Sequence, residues 1–192
     1  MEAVFGMQRK AMEDVLGYQS LQEDFEQVSE GDARLVPDLE GRDPDDAFSN
    51  VPYEKGRLLL VYLEDQFGRE TFDRFLRDYF DAYAFESLST GEFLAYVDKN
   101  LLQRYPGKVT LADLRQWIEE PGLPDSAVLP TSDAFANVDA VRNQFISGEV
   151  GADALAADQW TVHEWLYFLN NFGGALTVQK MKQLDDAHSL TT

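Results

Sequence analysis

Two histidines, the glutamate beside one of them, and a tyrosine in the run V-P-Y-E-K-G are the side chains through which this chain could organise a reaction. His163-Glu164 matches the first half of H-E-x-x-H, a motif that sets two imidazoles one helical turn apart on one face, where they can hold zinc. The second imidazole would fall at position 167, which is Tyr167. His163 therefore reads as a residue of a helix's first turn. His188 reads as lying near the C-terminal end of the last helix, where a cation complements the helix dipole. No metal site can be assembled from these residues.

Other chemistries lose their key groups. There is no G-x-S-x-G elbow, no Gly-rich phosphate loop and no dinucleotide fingerprint. There is no cysteine, which excludes disulfides, thiolate zinc ligands and thiol nucleophiles. With 35 acidic residues against 16 basic ones, carboxylate pairs occur everywhere and identify nothing.

Tyr53 is left. It lies in the first turn of an apolar helix, where Pro52 is tolerated because the early amides have no intrahelical acceptor. Free N–H groups and the dipole would make that end positive. A phenol there can donate a hydrogen bond to an oxyanion formed when a carbonyl is attacked. Taken on the residues alone, though, a tyrosine at a helix start is ordinarily a packing residue. Asp43, Asp45 and Asp46, just upstream, are by the same default solvated turn carboxylates.

The surroundings must be a helical protein with a real core. Hydrophobic residues make up 44% of the 192 positions and aromatics 12%, which argues against disorder. A net charge of −19 excludes nucleic acid and an anionic membrane face as partners. No apolar run approaches the ~20 residues needed to span a bilayer. No signal peptide is visible, but a chain that opens in mid-helix looks cut from something longer, so that absence says little. The lack of cysteine gives weak support for a reducing compartment, and the cytoplasm is the expected location.

Nearly every periodic segment has helical spacing, so the expected fold is all-α. The first helix should run to about Leu16 and end at Gly17, with a second over 21–28. Residues 31–49, rich in Asp, Pro and Gly, form a loop long enough to be functional. From Pro52 to about Phe67, six successive apolar residues, Leu58 to Leu63, predict a helix buried on every face and stopped by Gly68. ETFDRFLRDYFDAY then puts Phe72, Phe75, Leu76, Tyr79 and Phe80 on one stripe. Ser89 with Glu92 forms a capping box for a helix reaching about Leu102, and Thr110 with Asp113 opens the next. PGLP, Pro121 to Pro124, breaks the chain and is the expected domain boundary. Beyond it, helices over 132–147, 161–172 and 177–187 suit the start of a helical solenoid, armadillo- or HEAT-like, and Thr161 with Glu164 caps the middle one. The chain enters a helix at once, with no capping residue before it, and ends after few repeat units. It reads as truncated at both ends.

One stretch carries a resemblance. DPDDAFSNVPYEKGRLLLVYLE resembles a segment of the zinc aminopeptidases related to leukotriene A(4) hydrolase and aminopeptidase B, within the aminopeptidase N family. LRQWIEEPGLP resembles that family's join between catalytic and C-terminal helical domains, and AVFGMQRKAM its helix after the last zinc ligand. The resemblance implies residues 1–120 as the helical half of a thermolysin-like catalytic domain, 121–130 as a Pro-rich linker, and 131–192 as the start of the C-terminal helical domain. It implies that Tyr53 stabilises the oxyanion and that Asp45 lies at the substrate pocket. It also implies zinc in the intact enzyme, on H-E-x-x-H and a third glutamate that would lie before Met1 together with the G-x-M-E-N motif. None of these is in the chain, so no zinc and no hydrolysis are expected of it alone. Relatives can carry tyrosine where this chain has Phe48, and basic residues that hold a substrate carboxylate would lie beyond Thr192. Peptides are the implied substrates, and self-association of the isolated piece through exposed apolar surface is expected. Two other functions stay open: a non-catalytic helical interaction module, and epoxide hydrolysis by the parent enzyme.

Overall fold

Several helix starts in this chain are fixed locally. Ser89 accepts the N–H of Glu92 while Glu92 Oε2 accepts the N–H of Ser89 at 2.8 Å, and Thr110 with Asp113 repeats the arrangement at 2.8 Å. Thr161 donates its N–H to Glu164 at 2.7 Å, while Ser132 and Thr177 accept the amides of Phe135 and Lys180. Each such cap stabilises by about 1 kcal/mol.

The structure, a computed structural model, describes residues 2–191. Among them are nine α-helices and no strand: α1 (Glu2–Phe5), α2 (Met7–Gln27), α3 (Val51–Phe67), α4 (Arg69–Ala82), α5 (Thr90–Val97), α6 (Leu111–Glu119), α7 (Asp133–Ser147), α8 (Val162–Asn170) and α9 (Val178–His188). The expected all-α class is what the chain adopts.

The chain forms two compact units. One contains α2 through Gly17 together with residues from Pro130 onward, and the other runs from Tyr18 to Leu129. In the second unit, Leu21, Val51, Leu58, Leu63, Leu114 and Trp117 share a core. In the first, Met12 packs with Phe135, Val138, Phe145, Phe168 and Leu184.

Local signals are overridden in four places. Gly17 does not end a helix, because α2 runs through it as 21 residues. An interior glycine costs about 1 kcal/mol. Burying Met12 on one side of it and Leu21 on the other contributes about 1.5–3 kcal/mol each, which exceeds that cost. The break falls instead at Gly6, whose φ is +83°. Secondly, α3 does not bury every face: Leu58, Leu59, Tyr62 and Leu63 are buried while Leu60 is 39% exposed. Thirdly, Phe80 leaves the stripe that buries Phe72 and Phe75, and is 66% exposed. Finally, the helix expected to reach Leu102 changes to a π turn over Asp98–Leu102.

Candidate functional site

Tyr53 is the third residue of α3, after Val51 and Pro52. Tyr53 is 65% exposed, so within this chain it is not the packing residue that its position alone would suggest. Nor is the helix start a set of free amides. Val51 N–H reaches Ser49 Oγ at 3.3 Å, and the N–H groups of Tyr53 and Glu54 both reach Asn50 O, at 3.1 and 2.9 Å. Asn50, which precedes the helix, donates its own N–H to Asp24 Oδ2 at 2.6 Å and its side-chain amide to Ser20 Oγ at 3.1 Å. With its amides taken, this helix end offers an approaching oxyanion the Tyr53 phenol rather than backbone N–H groups.

Asp45 belongs to a single 3-10 turn, Pro44–Ala47, opened by Asp43, whose carboxylate accepts the N–H of Asp45 at 3.1 Å. The Asp45 side chain is exposed, as is Phe48 at 78%. Among the described residues neither the Asp45 carboxylate nor the Tyr53 hydroxyl has a hydrogen-bond partner within the chain. The loop carrying Asp45 is moored at Asp32, which Arg42 grips through two N–H···O bonds of 2.8 and 3.0 Å and which Ser29 Oγ also contacts at 2.8 Å. The Arg42 guanidinium, and then the Ser29 hydroxyl, hold the Asp32 carboxyl below its ordinary range.

Lys55 was not singled out by sequence reasoning, and it is fully buried. Its Nζ donates to the carbonyl oxygen of Glu120 at 2.6 Å and to that of Ala33 at 3.2 Å. Burial, and then the charge of Arg34, push its ammonium down to about 8 against the opposing pull of Glu120. A signal was present: Lys55 stands three, four and seven residues before Leu58, Leu59 and Tyr62, on the stripe that the helix buries.

The histidines are committed elsewhere. His163 Nε2 lies 3.3 Å from Glu13 Oε1, and that oxygen also accepts Arg9 Nε at 2.8 Å. His188 Nε2 lies 2.8 Å from the carbonyl of Ala152, beside the Trp165 ring. Among the described residues no three His, Asp or Glu side chains converge as a metal would require. The residues present do not fit zinc, and no step can be routed through it from this chain. No helix among the described residues is long and apolar enough to cross a membrane.

Residues 1–117 match the model of the peptidase family M1 domain, a span that contains Asp45, Tyr53 and Lys55. The chain is 32% identical to leucine aminopeptidase 2 of Ajellomyces capsulatus over 99% of its own length and 32% of that protein. It is 28% identical to a leukotriene A-4 hydrolase homolog of Botryotinia fuckeliana, over 98% of this chain and 30% of the relative. A yeast LTA4 hydrolase structure, solved in complex with bestatin, superposes with a TM-score of 0.76 at 26% identity, covering 98% of this chain and 34% of that one. The chain thus spans about a third of the length of these relatives.

Proposed function

The chain belongs to the peptidase M1 domain family, and from that premise we propose that it serves as one section of a zinc metallo-aminopeptidase, an enzyme that hydrolyses N-terminal residues from peptides. In this reading residues 1–120 are the helical part of the catalytic domain, 121–130 the linker, and 131–192 the beginning of the C-terminal helical domain. Any zinc would be held by ligands supplied from elsewhere in the enzyme, and the chemistry it would supply there is Lewis-acid polarisation of a water. This chain contributes the other polarity. The Tyr53 O–H donates to the oxygen on which negative charge develops as the peptide carbonyl is attacked, and Asp45 lines the peptide pocket.

The observation that carries the reading is the exposure of Tyr53 at the start of a helix that buries one side of itself in the core. A hydroxyl with no hydrogen-bond partner among the described residues, on a helix start whose amides are engaged, suits a donor kept for something outside. In the full-length enzyme, Tyr53→Phe should lower kcat by roughly 10²–10³-fold, the scale of one lost oxyanion donor. Unchanged turnover of an N-terminal amino-acid anilide would remove Tyr53 from the mechanism. The 192-residue chain alone should bind no zinc and cleave no peptide; hydrolysis by the purified chain would contradict the proposed division of labour. A non-catalytic interaction module would instead leave the full-length protein inactive toward peptides.

A further inference from the structure

We propose that Lys55 is a positioning residue for Tyr53: it fastens the first turns of α3 to the C-terminal end of α6, and so sets where the phenol points. The inference rests on the role given to Tyr53 above.

Among the described residues the Tyr53 hydroxyl has no hydrogen-bond partner, so its direction is inherited from the backbone that bears it. Two residues later that backbone carries the fully buried Lys55. Its Nζ joins Glu120 O, the capping residue of α6, to Ala33 O. The same two segments meet through further bonds: Ala33 O also accepts the N–H of Gly122 at 3.3 Å, and Leu35 donates to Ile118 O at 3.1 Å. V-P-Y-E-K-G and E-E-P-G-L-P, far apart in sequence, are therefore held together by one side chain. The carbonyls at the end of α6 carry the negative end of its dipole, which attracts an ammonium. Two carbonyls also match the two N–H groups of a neutral amine, so the fastening persists when Lys55 loses its proton. Displacing a reacting group by about 1 Å can cost about 10²-fold in rate, which makes such a fastening catalytically consequential.

The test uses the full-length enzyme with Lys55→Met, which keeps the apolar stem and removes both bonds, beside Tyr53→Phe. Lys55→Met should lower kcat by roughly 10–10²-fold, with KM held within about twofold and bound zinc unchanged. Lys55→Arg, too large for the enclosed site, should fail to restore it. In the 192-residue chain, amide exchange at Tyr53 and Glu54 should quicken in Lys55→Met. If Tyr53→Phe loses kcat and a folded Lys55→Met keeps it, the positioning role is wrong while the tyrosine's stands. If Tyr53→Phe keeps kcat, the reading of the tyrosine fails and takes this inference with it. Unchanged exchange at Tyr53 and Glu54 overturns the fastening itself, whatever the kinetics.

Discussion

The carboxylate of Asp24 accepts the backbone N–H of Asn50 at 2.6 Å, across 26 positions of sequence. Asn50 occupies the capping position of α3, yet its side chain makes no capping bond and reaches Ser20 instead. The start of the helix that bears Tyr53 is therefore fixed by a residue of α2. Asp24→Ala should destabilise the chain by about 1–2 kcal/mol, the scale of a lost charge-assisted bond to a backbone amide. A urea midpoint equal to that of the unaltered chain would show the bond to be dispensable.

Gly68 closes α3 and opens α4 with φ +80° and ψ 149°, a region that is essentially glycine-only. A Cβ built there meets nothing within 4 Å, so any cost of Gly68→Ala is backbone strain alone. The expected loss is about 1–3 kcal/mol, read as a lowered thermal midpoint. A neutral substitution would mean that the two helices can be joined through another conformation.

Lys55 makes stability depend on pH in an unusual direction. Its folded value of about 8 lies below the ordinary 10.5, so between them the unfolded chain binds the extra proton. Stability from this group must then rise as pH climbs through that window and be lowest below 8. The rise should be on the order of a few kcal/mol. Chemical denaturation at pH 7.5 and 10, compared between the unaltered chain and Lys55→Met, isolates it. Parallel behaviour of the two would exclude Lys55 as the source.

Asp32 behaves in the opposite sense. Its carboxyl is held below the ordinary value by Arg42 and Ser29, so its contribution is full above that value and is lost as pH falls through the lowered one. Acidification should loosen the 31–49 loop, and Arg42→Gln should move that loosening to higher pH. Pepsin cleavage within the loop, followed against pH, reads the effect directly. Equal cleavage profiles for the two proteins would mean that the loop is moored by other contacts.

Features encoded within a few residues were legible in the sequence. Ser89, Thr110 and Thr161 announce their helices because a cap is complete within three positions, and Gly68 stops α3 for a reason that concerns its own backbone. Gly17 misled because its local preference is weaker than the burial of Met12 and Leu21 around it. Phe80 misled because one apolar stripe can be wider than the surface available to cover it. At the candidate site, Tyr53 could be singled out only through the resemblance of its neighbours to a known segment. Lys55 escaped for a physical reason: a lysine reads as a solvent-facing charge until its two carbonyl partners are known, and both belong to other segments of the chain.

Met12 is buried with the side chains of α7, α8 and α9, although more than a hundred residues separate it from them. Its unit is therefore discontinuous in the gene, made from an early stretch and a late one. A chimaera that grafts only the late stretch from a relative would pair an imported hydrophobic surface with a native methionine helix. Exchange among relatives should succeed when both stretches travel together, so these positions are expected to change in concert over evolutionary time.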